Sequence, residues 1–240
     1  MAHVLSAAAR ARYRDAGYVV LGRIASEADA AALRAEEARF RPPRGYGGER
    51  NRTLLVSVQL CHRSEPVRRF CTGGPQVPLV RDLLGPDVCL THTQFLNKLP
   101  DGPETRSDVP FHQDNGYGRL EPMTDVTVWM ALTDTDEENG GLVVVPGSHR
   151  LGLLEHGRAG VNPALRELAV REEGVPLRLA AGEAVAFSGL LVHGSGPNRS
   201  PSPRIAFYAR YCEPHTRMLS EGGKPVLEDG HSWMVCGEAS

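Results

Sequence analysis

The sequence of 240 residues is poor in long apolar runs, and this absence limits what the protein can be. No run approaches the roughly 20 apolar residues that a membrane-spanning helix needs, so we predict no membrane partner. The first 17 residues lack the apolar segment and the cleavage site of a secretory signal. We therefore expect a cytoplasmic protein.

The sequence also has no closely spaced pair of cysteines and very few lysines. The five cysteines are odd in number and form no C-x-x-C pair, which argues against a zinc knuckle and a disulfide framework. Of the 27 basic residues only Lys98 and Lys224 are lysine. Together with 26 glycines and 18 prolines, this indicates a GC-rich coding sequence, and we expect a bacterial source. The formal net charge of −2 argues against a nucleic acid partner, since duplex binding needs a clustered basic surface.

The composition that remains is that of a globular protein, because 41% hydrophobic and 23% charged residues exclude extended disorder. The length favours a single domain over 1–240. Residues 7–40 predict a helix, a short strand and a second helix that opens with a capping box at Ser26. From residue 88 onward, short apolar runs alternate with turn signals. The predicted strands are 88–96, 126–132, 141–145, 176–179, 184–187, 190–193 and 205–211.

Helices followed by many short strands favour a mainly β fold with flanking helices. We predict a double-stranded β-helix, a cupin-like jelly roll with its core at about 88–212 and the N-terminal helices packed outside. The proline-, glycine- and arginine-rich residues 41–52 are either a plain surface loop or a mobile flap whose arginines face an anion. Residues 162–168 form the one plausible helical insert, with proline at its start.

Two histidines and one aspartate carry the clearest chemical pattern. His112 and Asp114 share a face if their segment is extended, because side chains alternate along a strand. Alone, this pair is more typical of a surface histidine beside a turn. His193 ends the predicted strand 190–193, which is a natural ligand position at a barrel mouth. Two histidines and a carboxylate form the facial triad of non-haem Fe(II) oxygenases, with three coordination sites left open.

Arg204 is the fourth candidate, because it opens the strand that follows His193 by eleven residues. From that position it could reach into the barrel and hold a carboxylate in two hydrogen bonds. A 2-oxo acid on the open metal sites needs such an anchor, although a surface arginine is the simpler interpretation of Arg204 by itself. His92 shares a face with Gln94 and could line the pocket.

Five motifs, in this order and spacing, resemble the phytanoyl-CoA dioxygenase family of Fe(II)/2-oxoglutarate-dependent oxygenases. The resemblance covers roughly residues 88–212, and the opening segment around residues 15–21 is similar as well. Glu183 departs from the aspartate that is usual in the family's Gly-Asp turn. The motifs are His112-Gln-Asp, Trp129-Met-Ala-Leu-Thr-Asp, Glu138-Asn-Gly-Gly-Leu-Val-Val-Val-Pro-Gly-Ser-His, Gly182-Glu-Ala-Val-Ala-Phe, and His193-Gly-Ser-Gly-Pro-Asn followed by Arg204.

The resemblance implies a role for each residue that matches. His112, Asp114 and His193 would bind iron. Arg204 would hold the distal carboxylate of 2-oxoglutarate, with Ser195 beside it.

Other matching residues would surround the cosubstrate and the substrate. Trp129 would lie against 2-oxoglutarate, and Gln94 would contact it. Lys98 matches a lysine of the family, for which a structural ion pair is the interpretation that we favour. Candidates for the substrate mouth are Asn115, Tyr117, the loop 41–52, the insert 151–170 and the tail around His215 and Trp233.

The resemblance also implies a reaction in which 2-oxoglutarate and O2 become succinate and CO2 while a small-molecule substrate is oxidised. Related halogenases lack the carboxylate ligand, so the presence of Asp114 favours hydroxylation over chlorination. We predict a hydroxylase acting on a small metabolite or a natural-product intermediate. The same chemistry can give desaturation, epimerisation or ring closure. A non-catalytic cupin-like binding module is the alternative of another class, and the sequence indicates no oligomeric state.

Overall fold

The structure is a computed structural model that describes residues 4–46, 51–156 and 162–219, and the backbone of 233–236. Within this part of the chain, no helix is both long and apolar enough to cross a membrane. The helices are α1 (Ala7–Ala16), α2 (Glu27–Phe40), α3 (Glu65–Gly73), α4 (Gln76–Leu84), α5 (Asp114–Tyr117) and α6 (Pro163–Arg171). The strands are β1 (Tyr18–Arg23), β2 (Leu54–Val58), β3 (Val88–Lys98), β4 (Val109–His112), β5 (Arg119–Glu121), β6 (Val126–Ala131), β7 (Leu142–Val144), β8 (Val175–Pro176), β9 (Glu183–Ser188), β10 (His193–Ser195), β11 (Arg204–Cys212), β12 (Arg217–Leu219) and β13 (Trp233–Cys236).

Two antiparallel sheets form the body of the fold. The larger has the strand order β1-β9-β6-β11-β3-β13, with β2 paired to β3 as well, and the smaller has the order β4-β10-β7-β8. Apolar side chains of both sheets share one core, which includes Trp129 and Val185 of the larger sheet and Leu142 and Val144 of the smaller. This arrangement confirms the predicted mainly β jelly roll with flanking helices.

The larger sheet is buried on both faces, because its strands alternate between two apolar layers. On β11, Ile205 and Phe207 pack with the core that α2, α3 and α4 share, whereas Ala206 and Tyr208 face the smaller sheet. The Phe207 ring lies 6.0 Å from that of Phe70 in α3. Every residue of β6 and β11 is buried. Polar side chains on the inward face of these strands are therefore enclosed between the sheets.

The N-terminal elements agree with the sequence prediction. Ser26 caps α2, and its capping box with Asp29 is present. The insert contains α6, whose N-cap Asn162 accepts a hydrogen bond from the backbone N–H of Ala164 at 2.9 Å. The sequence analysis assigned no elements to residues 54–84, where β2, α3 and α4 lie; both helices have only nine residues.

The strand around His193 corrects the prediction for residues 190–193. β10 begins at His193 rather than ending there. Leu191 and Val192 are apolar because they are buried in a turn, where the N–H of Leu191 bonds to the Ser188 carbonyl at 2.8 Å. The N–H of Val192 donates to the Ser148 hydroxyl, also at 2.8 Å. His193 is therefore the first residue of a strand in the smaller sheet and not the last residue of the strand that we predicted.

We expect Phe207→Ala to lower the free energy of unfolding by about 3–5 kcal/mol, because truncating a buried phenylalanine leaves a cavity. Chemical denaturation of the metal-free protein measures this loss. Val170→Ala, at a position on α6 that is 74% exposed, is the control and should change the free energy by less than about 0.5 kcal/mol. Similar unfolding midpoints for the two variants would contradict the packing of β11 against the helices.

Candidate active site

His112, Asp114 and His193 converge between the two sheets. His112 is the last residue of β4 and lies directly opposite His193, the first residue of β10. Asp114 begins α5, and the intervening Gln113 is extended, with φ −111° and ψ 140°. The alternation expected for residues 112 and 114 therefore persists up to the helical turn. All three side chains are buried.

The triad has the geometry of a metal site, since one potential ligand atom from each residue lies within 4.8 Å of the others. Asp114 Oδ1 is 3.7 Å from His112 Nε2 and 3.6 Å from His193 Nε2. The Nδ1 atoms of the two imidazoles face the carbonyls of Pro110 and Leu191 at 2.8 and 2.9 Å. Because a carbonyl only accepts, each Nδ1 carries the proton and each Nε2 keeps its lone pair for a metal. This donor set suits Fe(II) and other divalent first-row metals.

The second oxygen of Asp114 is held by the larger sheet. Asp114 Oδ2 accepts hydrogen bonds from the Thr127 hydroxyl at 2.8 Å and from the Tyr208 hydroxyl at 3.2 Å. These donors fix the rotation of the carboxylate and leave Oδ1 directed at the imidazoles. Neither hydroxyl donor, of Thr127 or of Tyr208, was predicted from the sequence. The signal for Tyr208 was its position four residues after Arg204, which places both on one face of β11.

The surroundings of the triad favour the protonation states that metal binding requires. Burial lowers the pKa of His193 to about 4, so its imidazole is neutral at pH 7. Burial alone would raise the pKa of Asp114. The interactions with His193, His112 and Arg210 outweigh burial and hold that pKa well below its usual value. The site thus presents a carboxylate and a neutral imidazole.

Arg204 lies further along the same inward face of β11 and is almost fully buried, with 2% of its surface exposed. Its Nη2 donates to the Gly140 carbonyl at 3.0 Å, and its guanidinium lies 5.6 Å from the centre of the Trp129 ring. Among the described residues, the buried Nε atom has no hydrogen-bond partner. Burial lowers the pKa of Arg204 to about 9, which still leaves the side chain charged at neutral pH. Arg204 and Trp129 are therefore both inside the barrel, as expected.

Lys98 on β3 is the cross-strand neighbour of Arg204. Its Nζ donates to the Ser195 hydroxyl at 2.6 Å and to the Gly196 carbonyl at 2.5 Å. Burial, and next the charge of Arg204, lower the pKa of Lys98 well below its usual value. The favoured ion pair is not seen among the described residues, where no carboxylate lies within 4 Å of Nζ and the charges of Asp108 and Asp101 act from further away. The alternation of β3 turns the lysine inward, where it meets a second cation.

Gly140 shapes the pocket of Lys98 and Arg204. It has φ +76°, and a Cβ there would lie 2.5 Å from the Gly196 carbonyl oxygen and 3.1 Å from Lys98 Cδ. Both the backbone conformation and the close approach therefore require glycine.

We expect Gly140→Ala to weaken the binding of small dicarboxylates about tenfold or more, because the added methyl group displaces Lys98 or the 196 carbonyl. Calorimetric titration of the metal-loaded protein with 2-oxoglutarate under anaerobic conditions measures this. Gly147→Ala is the matched control: Gly147 also has a positive φ, +79°, but a Cβ there meets nothing within 4 Å. An unchanged affinity for Gly140→Ala would contradict the assignment of this pocket.

Gln94 and the two residues expected at the mouth occupy different surroundings. Gln94 Oε1 lies 3.3 Å from His92 Nε2, so both side chains share a face as predicted. Tyr117 is 56% exposed, and its ring centre is 4.9 Å from that of His112, on the open side of the triad. Asn115 is buried, with its Nδ2 donating to Asp125 Oδ1 at 2.7 Å. Its amide is thus engaged in a structural network, which does not agree with the expected place at the mouth.

The network around Asn115 secures α5 to the larger sheet. Asp125 forms a buried ion pair with Arg210, with Oδ2 and Nε 2.6 Å apart. Asn115 Oδ1 accepts from the N–H of Leu120 at 2.9 Å. Of the other expected mouth residues, His215 pairs with Glu213 at 3.0 Å on the surface. The described part of the structure does not include residues 47–50, residues 157–161 or the Trp233 side chain. The flap at residues 41–52 therefore stays a prediction.

Gln113 lies between two of the triad residues and hydrogen-bonds to two other parts of the chain, the segment 152–156 and the turn at Leu190. Its Nε2 donates to the carbonyls of Gly152 and Leu190 at 2.8 and 2.7 Å, and its Oε1 accepts from the N–H of Leu154 at 2.8 Å. Its own N–H donates to His156 Nε2 at 2.9 Å. Gln113 therefore joins the segment 152–156 and the turn before His193 to the triad.

We expect Gln113→Ala to weaken divalent metal binding by roughly 10–100-fold, because supporting hydrogen bonds orient metal ligands. It should also lower the free energy of unfolding by about 1–3 kcal/mol, since three partly buried backbone groups lose their partner. Titration with Co(II) measures the affinity. Gln59→Ala removes a side-chain bond to the Thr91 carbonyl and should leave the Co(II) affinity unchanged. Equal affinities for wild type and Gln113→Ala would refute this role.

The fold and the triad together define a jelly-roll protein with a histidine–carboxylate metal site. The family profile described as Phytanoyl-CoA dioxygenase (PhyH) matches residues 13–206. Peroxisomal phytanoyl-CoA dioxygenase of Bos taurus is 30% identical over 244 residues, which cover 92% of this chain and 72% of the bovine protein. The Homo sapiens enzyme is 29% identical over 234 residues, covering 88% and 69%. The chain belongs to the phytanoyl-CoA dioxygenase family.

Solved structures support the fold assignment. The non-haem α-ketoglutarate-dependent carbocyclase SnoK from nogalamycin biosynthesis superposes with a TM-score of 0.77 and is 26% identical, with 96% of each chain covered. The epimerase SnoN, in complex with Fe3+, α-ketoglutarate and nogalamycin RO, gives a TM-score of 0.81 at 22% identity, covering 95% of this chain and 97% of SnoN. The likeness to SnoN shows the fold alone.

Proposed function

We propose that this protein is a dioxygenase that hydroxylates a small organic substrate, with His112, Asp114 and His193 as the iron ligands. Its family membership makes it a non-haem Fe(II)- and 2-oxoglutarate-dependent oxygenase. The observation that carries the proposal is the joint presence, on one interior surface, of the buried triad and the buried cation pair Lys98 and Arg204. Neither cluster is explained by apolar packing, because burying ionisable side chains costs free energy and the hydrogen bonds of Lys98 and Arg204 go only to neutral groups.

The triad provides the donor atoms for Fe(II), namely Nε2 of His112, Nε2 of His193 and Oδ1 of Asp114. Bound iron supplies the O2 chemistry that couples the decarboxylation of 2-oxoglutarate to the oxidation of the substrate. The protein's own contribution is positional. Thr127 and Tyr208 hold the Asp114 carboxylate, and the carbonyls of residues 110 and 191 fix both imidazole tautomers.

The cation pair fits the distal carboxylate of 2-oxoglutarate. Two neighbouring buried cations repel each other, and no carboxylate among the described residues pairs with Lys98, so an anionic ligand would offset the cost of burying them. The unpartnered Nε of Arg204 is a further donor available to such a ligand. Ser195 already accepts from Lys98 and completes the pocket. Trp129 lies beneath the guanidinium and restricts its position, and Gln94 is proposed to contact the cosubstrate.

Hydroxylation is the outcome that we favour, because Asp114 occupies the carboxylate position of the triad and leaves no vacant ligand site for a halide. Epimerisation and ring closure are the second candidates. They are supported by the names of the structural neighbours SnoN and SnoK, an epimerase and a carbocyclase.

The substrate is proposed to be a natural-product intermediate that approaches past Tyr117, whose exposed ring lies beside His112. A flat aromatic surface at the mouth favours an apolar or ring-containing molecule. We also propose a bacterial protein of the cytoplasm. The cysteines of the described residues support this compartment, since Cys61, Cys71, Cys89 and Cys212 are buried as thiols rather than joined in disulfides.

Anaerobic titration tests the cofactor assignment. Fe(II) followed by 2-oxoglutarate should give the weak visible charge-transfer band of the chelate in the wild type. Asp114→Ala should lose the band, because one of three metal ligands is removed. Arg204→Gln and Lys98→Met should each raise the 2-oxoglutarate concentration for half-saturation about tenfold or more, since a charged hydrogen bond contributes about 1.5–3 kcal/mol.

The control for these variants is Arg178→Gln, which removes an exposed arginine whose partner is Glu137 and should behave as wild type. A metal-loaded protein that gives no band would exclude 2-oxoglutarate as the cosubstrate. A band that is never followed by succinate release in air, with or without candidate substrates, would favour the non-catalytic binding module.

A further inference from the structure

A second concave site lies outside the barrel, beside the free edge of β4. It is a cavity of about 680 Å³ between β4, the loop after β10 and the start of α6. That volume is typical of a site for a small molecule rather than of a flat protein interface. Its apolar floor includes Val109 and Phe111. We call it the arginine cavity, because Arg106, Arg166 and Arg199 stand around it.

The three arginines come from three separate segments. Arg106 precedes β4, Arg166 lies on α6 and Arg199 follows β10. Within the part of the chain that the structure describes, none of their guanidinium groups forms an ion pair or a hydrogen bond. Some other surface arginines do form such contacts, as Arg171 does with Glu172 and Arg178 with Glu137, but Arg44, Arg69 and Arg217 are scattered and, among the described residues, form none. Unpartnered guanidinium groups around one cavity indicate a shared anionic ligand.

The charges of the residues that line the cavity also favour an anionic ligand. Asp108 is the one acidic residue among the lining residues, against three arginines. The start of α6 adds no free donor, because Asn162 already accepts from the N–H of Ala164 and of Leu165. Recognition in the cavity therefore depends on the guanidinium groups.

We propose that the arginine cavity binds a phosphoryl group, either as free phosphate or as a phosphate ester. A guanidinium presents paired N–H donors that match the oxygens of phosphate, and three of them around one cavity suit a dianion. The apolar residues beneath them provide a surface for the organic part of an ester. This site is distinct from the cation pair inside the barrel, although Ser195 lines the cavity and also binds Lys98.

Calorimetric titration of the full-length protein at low ionic strength tests the proposal. The protein is first saturated with 2-oxoglutarate, so that the cation pair inside the barrel is occupied. Sodium phosphate and glycerol 3-phosphate are the two probes. We expect saturable binding that weakens at least tenfold in the double variant Arg166→Gln/Arg199→Gln. Binding that is at least tenfold tighter for the ester identifies phosphorylated molecules as the ligand, and equal affinity identifies free phosphate.

The matched control is the double variant Arg171→Gln/Arg178→Gln, which removes two paired surface arginines and should bind both probes as wild type does. Thermal denaturation of each variant verifies that it is folded. No saturable binding to the wild type, or equal binding by the cavity variant, would overturn the proposal. So would loss of phosphate binding in Arg204→Gln, because the anion would then be inside the barrel. The results of the cavity variants do not bear on the proposed oxygenase function, whereas phosphate binding that depends on Arg204 would also count against 2-oxoglutarate at the cation pair.

Discussion

The Asp114 carboxylate is the interaction on which the candidate site depends. One oxygen accepts hydrogen bonds from Thr127 and Tyr208 on the larger sheet, and the other faces two imidazoles on the smaller sheet. A single side chain thereby reaches both sheets at the point where a metal would bind. Its low pKa keeps the carboxylate charged throughout the neutral range.

The inward face of the larger sheet combines apolar packing with charge. Arg204 and Arg210 lie on the same strand that buries Phe207 on its other face. Arg210 has Asp125 as its partner, whereas Arg204 and Lys98 have no carboxylate within reach among the described residues. The first pair is structural, and the second is the one proposed to bind 2-oxoglutarate. The difference arises because Asp125 lies beside Arg210, whereas no acidic side chain among the described residues forms an ion pair with Lys98 or Arg204.

Alternation explains which parts of the site could be predicted from the sequence. His112 and Asp114 share a face because Gln113 is extended, and Arg204 points inward because it alternates in step with Tyr208 along β11. The prediction failed where apolar residues are buried without strand pairing, as in the turn before His193. It also failed for Lys98, whose partners are a hydroxyl and a carbonyl that lie about a hundred residues away. Contacts between residues so far apart in the sequence leave no local sequence pattern from which they could be predicted.

The contacts of Gln113 separate the metal site from the choice of substrate. The side chain of Gln113 bonds only to main-chain atoms of residues 152 and 154, so the side chains at those two positions take no part in these contacts, whereas His156 accepts from the Gln113 N–H through its imidazole. Residues 152 and 154, in the insert proposed to border the substrate mouth, can therefore change in shape and polarity by substitution while their backbone stays bonded to the same glutamine. A scaffold built in this way can accept new substrates without rebuilding the centre that oxidises them.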